Sequence, residues 1–140
     1  MACVFCEIAG GRAPAQIIEQ DDLTLCLLDI NPFAEGHCLV LPKRHVPWWQ
    51  DMSDDELSAV FRMAKRVANR VRDVYACELV CMYARGRRIP HTHVFLVPTT
   101  KGDALDGFFN RLEKFQESAE ELAPLRSVES LRLAAKRLRG

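Results

Sequence analysis

Ile89-Pro90-His91-Thr92-His93-Val94-Phe95-Leu96-Val97-Pro98 decides how this chain is read. Two histidines stand two residues apart in an apolar run rich in β-formers. Strand side chains alternate between faces, so His91, His93 and Phe95 are expected to share one face. Thr92, Val94 and Leu96 then point the other way, into a core. Paired imidazoles can do what a lone histidine cannot: one acts as nucleophile or general base, while the other holds a metal or orients its neighbour. Half of the four histidines of the chain lie here.

Outward from this strand, the pattern predicts an α+β chain built on an antiparallel sheet. Residues 3 to 9 read as a short helical turn, followed by the loop Gly10-Gly11-Arg12-Ala13-Pro14. Strands are predicted at Ile17–Glu19, Leu23–Asp29, His37–Pro42, Glu78–Tyr83 and His91–Val97. The Pro and Gly of Asn31-Pro32-Phe33-Ala34-Glu35-Gly36 mark the turn of a hairpin. One main helix, about residues 53–75, starts with a capping-box pattern, Ser53 and Glu56. Asp54 and Asp55 suit the positive end of its dipole. Its apolar face is read as Leu57, Val60, Phe61, Ala64, Val67, Ala68, Val71 and Val74. Trp48-Trp49 is expected to pack between a strand and this helix. Gly102–Gly107 reads as a polar break, and Phe108–Glu121 and Val128–Arg139 as C-terminal helices. No repeat or long linker divides the sequence. Residues 1–100 are therefore taken as one α+β domain and 101–140 as its helical extension.

The bulk properties exclude several classes. A chain of 140 residues is long enough for a real core. The formal net charge of +0 gives no electrostatic reason to expect a nucleic-acid polymer or an anionic membrane as partner. No apolar run approaches the roughly 18 residues of a membrane span. Met-Ala-Cys-Val-Phe-Cys-Glu lacks the regions of a signal peptide, so the expected location is cytoplasmic. In a reducing compartment the six cysteines are not a disulfide framework. Cys26, Cys38, Cys77 and Cys81 read as small buried hydrophobes.

Cys3 and Cys6 differ, because C-x-x-C spacing can put two thiolates on one metal. His45, in Pro42-Lys43-Arg44-His45-Val46, follows a strand end, and His91 begins another. A zinc site from these four residues is chemically sound, but spacing alone equally describes two unrelated thiols and a surface histidine. For nucleophilic chemistry, neutral imidazole attacks phosphorus near pH 7 and forms a labile adduct. His93 can attack. Arg87 and Arg88 can neutralise phosphate charge, and Gly86 allows a close backbone approach. A hydrogen-bonded structural histidine remains the alternative.

His91-Thr92-His93-Val94-Phe95-Leu96-Val97-Pro98 resembles the signature of histidine-triad (HIT) proteins. Cys3-Val4-Phe5-Cys6-Glu7-Ile8, Leu28-Asp29-Ile30-Asn31-Pro32, Gly36-His37-Cys38-Leu39-Val40 and Pro42-Lys43-Arg44-His45 match in order and spacing. The likeness covers roughly residues 1 to 98 and implies a HIT-like sheet and a homodimer sharing that sheet. It implies that His93 takes up a nucleoside monophosphate and that His37 lies near the active site. Asp29 would bind the ribose hydroxyls, and Phe5, Ile8, Leu27 and Ile30 would wall the base. A structural zinc ion, one per chain, would sit on Cys3, Cys6, His45 and His91, as in the zinc-containing branch.

Two positions depart from the family. The third histidine is Phe95, which cannot donate to a phosphate oxygen, and the usual Gly-Gln reads Gly86-Arg87. A lost oxyanion donor costs about 10²–10³ in rate. The resemblance implies a nucleotide hydrolase or nucleotidyl transferase that acts on a nucleoside phosphoester or phosphoramidate. The alternatives are a nucleotide-binding module with little turnover and a structural dimer whose histidines serve the metal.

Overall fold

The computed structural model describes residues 2–140. Residues up to Thr100 form one compact unit and Lys101–Gly140 a second. The first unit holds five strands: β1 Ile17–Gln20, β2 Thr24–Leu28, β3 Cys38–Pro42, β4 Leu79–Tyr83 and β5 Val94–Thr99. They form one sheet in the order β1-β2-β3-β5-β4, antiparallel at every pairing. Helix α1 spans Val4–Ala9 and α2 spans Asp54–Tyr75. The α+β architecture read from the sequence is the architecture found.

Register gives the two faces of the sheet different work. Leu25 pairs with Leu41, Leu27 with Leu39, and Leu39 with Phe95, which puts all of these on one face. Phe5 and Ile8 of α1 close over that face and form a buried cluster with the four leucines. On the other face, Cys26, Cys38, Val40, Val94 and Leu96 pack against Val60, Met63, Ala64, Val67 and Val71 of α2. Each fully buried apolar side chain of that size contributes about 1.5–3 kcal/mol. The sheet is thus anchored by α2 from behind, and its front carries the histidines.

The α2 face differs from the one read off the period. Met63 joins it, whereas Phe61 and Val74 are 41% and 66% exposed. The buried stripe is narrower and turned toward the middle of the sheet, since a helix that crosses a twisted sheet loses contact at its flanks. Ser53 caps α2 as expected, accepting from the Glu56 N–H at 3.1 Å. The other half of the capping box is diverted: Glu56 Oε1 accepts from Arg44 Nε at 2.8 Å.

Three further expectations need correction. Strand β5 starts at Val94 rather than His91, because the Thr92 N–H and hydroxyl both bond the Val46 carbonyl, each at 2.7 Å. That fastens the His-x-His segment to the stretch after β3 outside the ladder. Trp48 and Trp49 are 45% and 55% exposed beside a 3₁₀ turn and do not pack under the helix. Of the four cysteines read as buried, Cys26 and Cys38 are so, but Cys77 and Cys81 are only half-buried.

In the second unit, α3 runs Ala104–Ser118, a 3₁₀ segment Glu120–Arg126, and α4 Val128–Arg139. Helix α3 starts four residues before the predicted Phe108. Asp103 caps it by accepting from the Asp106 N–H at 2.9 Å, and Gly107 is carried inside the helix. The reading of 102–107 as a break gave too much weight to its glycines.

Candidate active site and metal centre

Cys3 stands at the N-cap of α1, and Cys6 lies three residues on, so one turn of helix brings both thiols to the same side. Cys3 Sγ lies 3.4 Å from His91 Nδ1. Cys6 Sγ lies 3.5 Å from the same nitrogen and 3.4 Å from His45 Nδ1. The donor atoms of Cys3, Cys6, His45 and His91 all fall within 4.8 Å of one another. Zn–S bonds of about 2.3 Å and Zn–N bonds of about 2.0–2.1 Å at a tetrahedral angle separate S and N by about 3.5 Å. The measured separations match that edge. These four residues could therefore hold a metal.

The surroundings prepare the ligands. His91 is buried, and its Nε2 lies 2.7 Å from the Pro42 carbonyl. A carbonyl only accepts, so the ring proton sits on Nε2 and the Nδ1 lone pair faces the thiols. Burial lowers the His91 pKa and keeps the ring neutral, as a ligand must be. His45 is exposed, but its neighbour Arg44 is tied to the nearly buried Glu56 at the start of α2. Burial and the adjacent Cys3 push the Cys6 thiol above its ordinary 9.0. The Cys6 thiol therefore resists ionising, and a bound cation would reverse that.

His93 lies on the same side as His91, since Phe5 packs edge-on against both rings, at 5.7 and 5.0 Å between centroids. His93 Nδ1 lies 2.7 Å from the His91 carbonyl. By the same reasoning Nδ1 carries the proton, and the Nε2 lone pair is left available for attack. Phe95 follows, with its ring 5.0 Å from His93, 5.6 Å from His37, and stacked at 4.7 Å on Tyr83. Tyr83 is paired with Phe95 across β4 and β5. Its phenol is pushed above 10.0 by burial, with smaller contributions from Cys81 and Asp29.

Asp29 and His37 close the loop between β2 and β3. Asp29 Oδ1 accepts from the Asn31 N–H at 2.7 Å, and the Asp29 N–H donates to the His37 carbonyl at 2.9 Å. His37 Nδ1 accepts from the Phe33 N–H at 3.1 Å, so its proton is on Nε2. That Nε2 lies 3.4 Å from Asp29 Oδ2, and among the described residues it is a buried donor with no hydrogen bond. Burial lowers the His37 pKa, and the Asp29 carboxylate offsets this only in part.

The remaining predicted residues divide between a buried cluster and exposed loops. Phe5, Ile8 and Leu27 are buried against one another's cluster, whereas Ile30 is 91% exposed on the loop after β2. Gly86 adopts φ +73, and Arg87 and Arg88 are exposed. Tyr83, Arg44 and Glu56 were not singled out for the site from sequence. The Tyr83–Phe95 stack follows from hairpin register, and Arg44 lies inside the Pro-Lys-Arg-His motif, so both had a signal.

The HIT domain model matches residues 11–102, and the chain belongs to the HIT family. An uncharacterised HIT-like protein of Methanocaldococcus jannaschii is 33% identical over 72% of this chain and 81% of its own length. An adenosine 5'-monophosphoramidase of Saccharomyces cerevisiae is 32% identical over 69% of this chain and 62% of its own length. Among solved structures, a HIT family member from Bacillus subtilis superposes with a TM-score of 0.78, at 23% identity, over 99% of this chain and 96% of that one. A zinc-bound histidine triad protein from Mycobacterium smegmatis gives 0.68 at 27% identity, over 81% and 97%. Among the described residues no helix is long and apolar enough to cross a membrane.

Proposed function

We propose that the chain is a nucleotide hydrolase or nucleotidyl transferase that acts on a nucleoside phosphoester or phosphoramidate through a nucleotidyl-histidine at His93. The observation that carries this reading is the 2.7 Å contact between His93 Nδ1 and the His91 carbonyl. It fixes the attacking tautomer and stabilises the cationic ring formed when Nε2 bonds to phosphorus. Asp29 Oδ2 and the unpartnered His37 Nε2–H offer an acceptor and a donor to the bound nucleotide. In this reading Asp29 takes the ribose hydroxyls, and exposed Ile30 lies against the base beside Phe5, Ile8 and Leu27. Gly86 and Arg87 approach the phosphate.

Zinc, one ion per chain, is the metal proposed for Cys3, Cys6, His45 and His91. Four protein ligands leave no open position, so its contribution is a structural cross-link. A site needing two free thiolates also suits the reducing cytoplasm. Residues 1–100 are read as the nucleotide-binding domain and 101–140 as its helical extension. The proposed partner is a second copy: β4 is an edge strand, and its exposed Met82 lines one cavity with Phe61 of α2.

The test compares AMP release by the protein and by His93→Ala from adenosine 5'-phosphoramidate and a dinucleoside polyphosphate. Loss of release in the variant supports the nucleophile, and unchanged release removes it. A second reading, a binding module with little turnover, is favoured by Phe95 in the third triad position. AMP binding without release from either protein would select it.

A further inference from the structure

Departure of a leaving group needs either a proton or a stable anion, and among the described residues none around His93 is placed to supply a proton. Its ring neighbours are Phe5 and Phe95, each at 5.0 Å. His91 has Nε2 committed to the Pro42 carbonyl and Nδ1 facing the two thiols. His37 has its Nδ1 lone pair committed to the Phe33 N–H. It can therefore hydrogen-bond through Nε2–H but holds no acidic proton. Asp29 accepts from Asn31 and faces the His37 N–H, which is the setting of an acceptor. Arg87 and Arg88 are exposed guanidinium groups, suited to hydrogen-bonding a phosphate and not to acid catalysis. Tyr83 lies against Phe95, and burial makes its phenol a weaker acid than usual.

We infer that this site is selective for nucleoside monophosphate derivatives whose leaving group departs as a stable anion, such as mixed anhydrides and aryl esters. Amine and alkyl alcohol leaving groups are poor substrates, and Phe95 is the specificity-determining residue. This rests on the reading of His93 as nucleophile. In the first step His93 Nε2 bonds to phosphorus, the bond from phosphorus to the leaving oxygen breaks, and its electron pair leaves as the anion. In the second, water attacks phosphorus, the P–N bond breaks with its pair returning to Nε2, and the water proton passes to solvent. An amine cannot leave in this way, because its nitrogen must first be protonated. General acid catalysis is worth about 10²–10⁴ in rate, which sets the size of the discrimination.

The experiment measures kcat/KM for four AMP derivatives: the p-nitrophenyl ester, the phenyl ester, the mixed anhydride with sulfate, and the phosphoramidate. The protein, Phe95→His, Phe95→Leu and Tyr83→Phe are compared. The expected result is a steep fall from nitrophenyl ester to phosphoramidate in the protein, in Phe95→Leu and in Tyr83→Phe. Phe95→His should narrow that span by about 10²-fold, chiefly by raising phosphoramidate turnover. Phosphoramidate cleavage within about tenfold of the nitrophenyl ester by the unaltered protein would overturn the selectivity while leaving His93 as nucleophile. That arm decides the matter even if a Phe95 variant fails to fold. A steeper fall in Tyr83→Phe would also overturn it, by naming Tyr83 as the acid. No release from even the nitrophenyl ester would remove the underlying nucleophile reading, and the selectivity with it.

Discussion

At the scale of single residues, the proposed attack by His93 depends on a bond made by its other ring nitrogen. The His91 carbonyl holds the Nδ1 proton, so His91 serves the site twice, through its ring toward the thiols and through its backbone toward His93. His37 shows how burial sets a charge state. Its pKa lies below 6.5 because desolvation of the charged ring outweighs the pull of Asp29. The unfolded chain therefore takes up this proton first as the pH falls. The His37 contribution to stability is complete above about 6.5 and is lost below it, down to the depressed folded-state pKa. Urea midpoints of the protein and His37→Gln should converge between about pH 7.5 and pH 5. Parallel loss of stability in both proteins would count against this assignment. The alternation of faces was legible in the sequence, and it correctly grouped His91, His93 and Phe95. The tautomers were not, since each depends on a carbonyl or N–H whose position only the fold supplies.

At the scale of elements, two backbone positions carry specific costs. Gly36, at φ +89, lies under the Tyr75 ring, which an added Cβ would strike. Gly36→Ala should cost about 1–3 kcal/mol and disturb the neighbouring His37 loop, measurable by denaturation and by nucleotide binding. Ala76 ends α2 at φ 50, a left-handed conformation in which glycine is at ease. Ala76→Gly should stabilise the protein by about 0.5–1 kcal/mol, and a loss of stability would contradict that reading. Helical period predicted that α2 exists and where it begins, but not its rotation. Phe61 and Met63 are both apolar, and only the sheet beneath decides which of them is buried. Likewise the Asp103 cap outweighed Gly107, a competition between local signals that composition does not rank.

At the scale of the whole first unit, the four candidate metal ligands come from three distant pieces of chain: α1, the segment after β3, and the segment before β5. Sequence separation could not group them, because sheet pairing of β3 with β5 is what brings His45 and His91 together. A metal here ties α1 to the sheet and closes long loops, so its removal should act on global stability. The purified protein should retain about one zinc per chain, and a chelator should lower its thermal midpoint. Cys6→Ser should lose the zinc and become insensitive to chelator. A protein that keeps no zinc under non-chelating conditions would contradict the site.

The proposed reaction stands or falls with a covalent adduct on His93. Acid-sparing quench of the protein during turnover of the p-nitrophenyl ester of AMP, followed by intact-mass and peptide mapping, tests it most directly. One added nucleoside monophosphate is expected on the peptide containing His93, and none in His93→Ala. Turnover by the protein with no adduct at any time point, and the same turnover in His93→Ala, would contradict it.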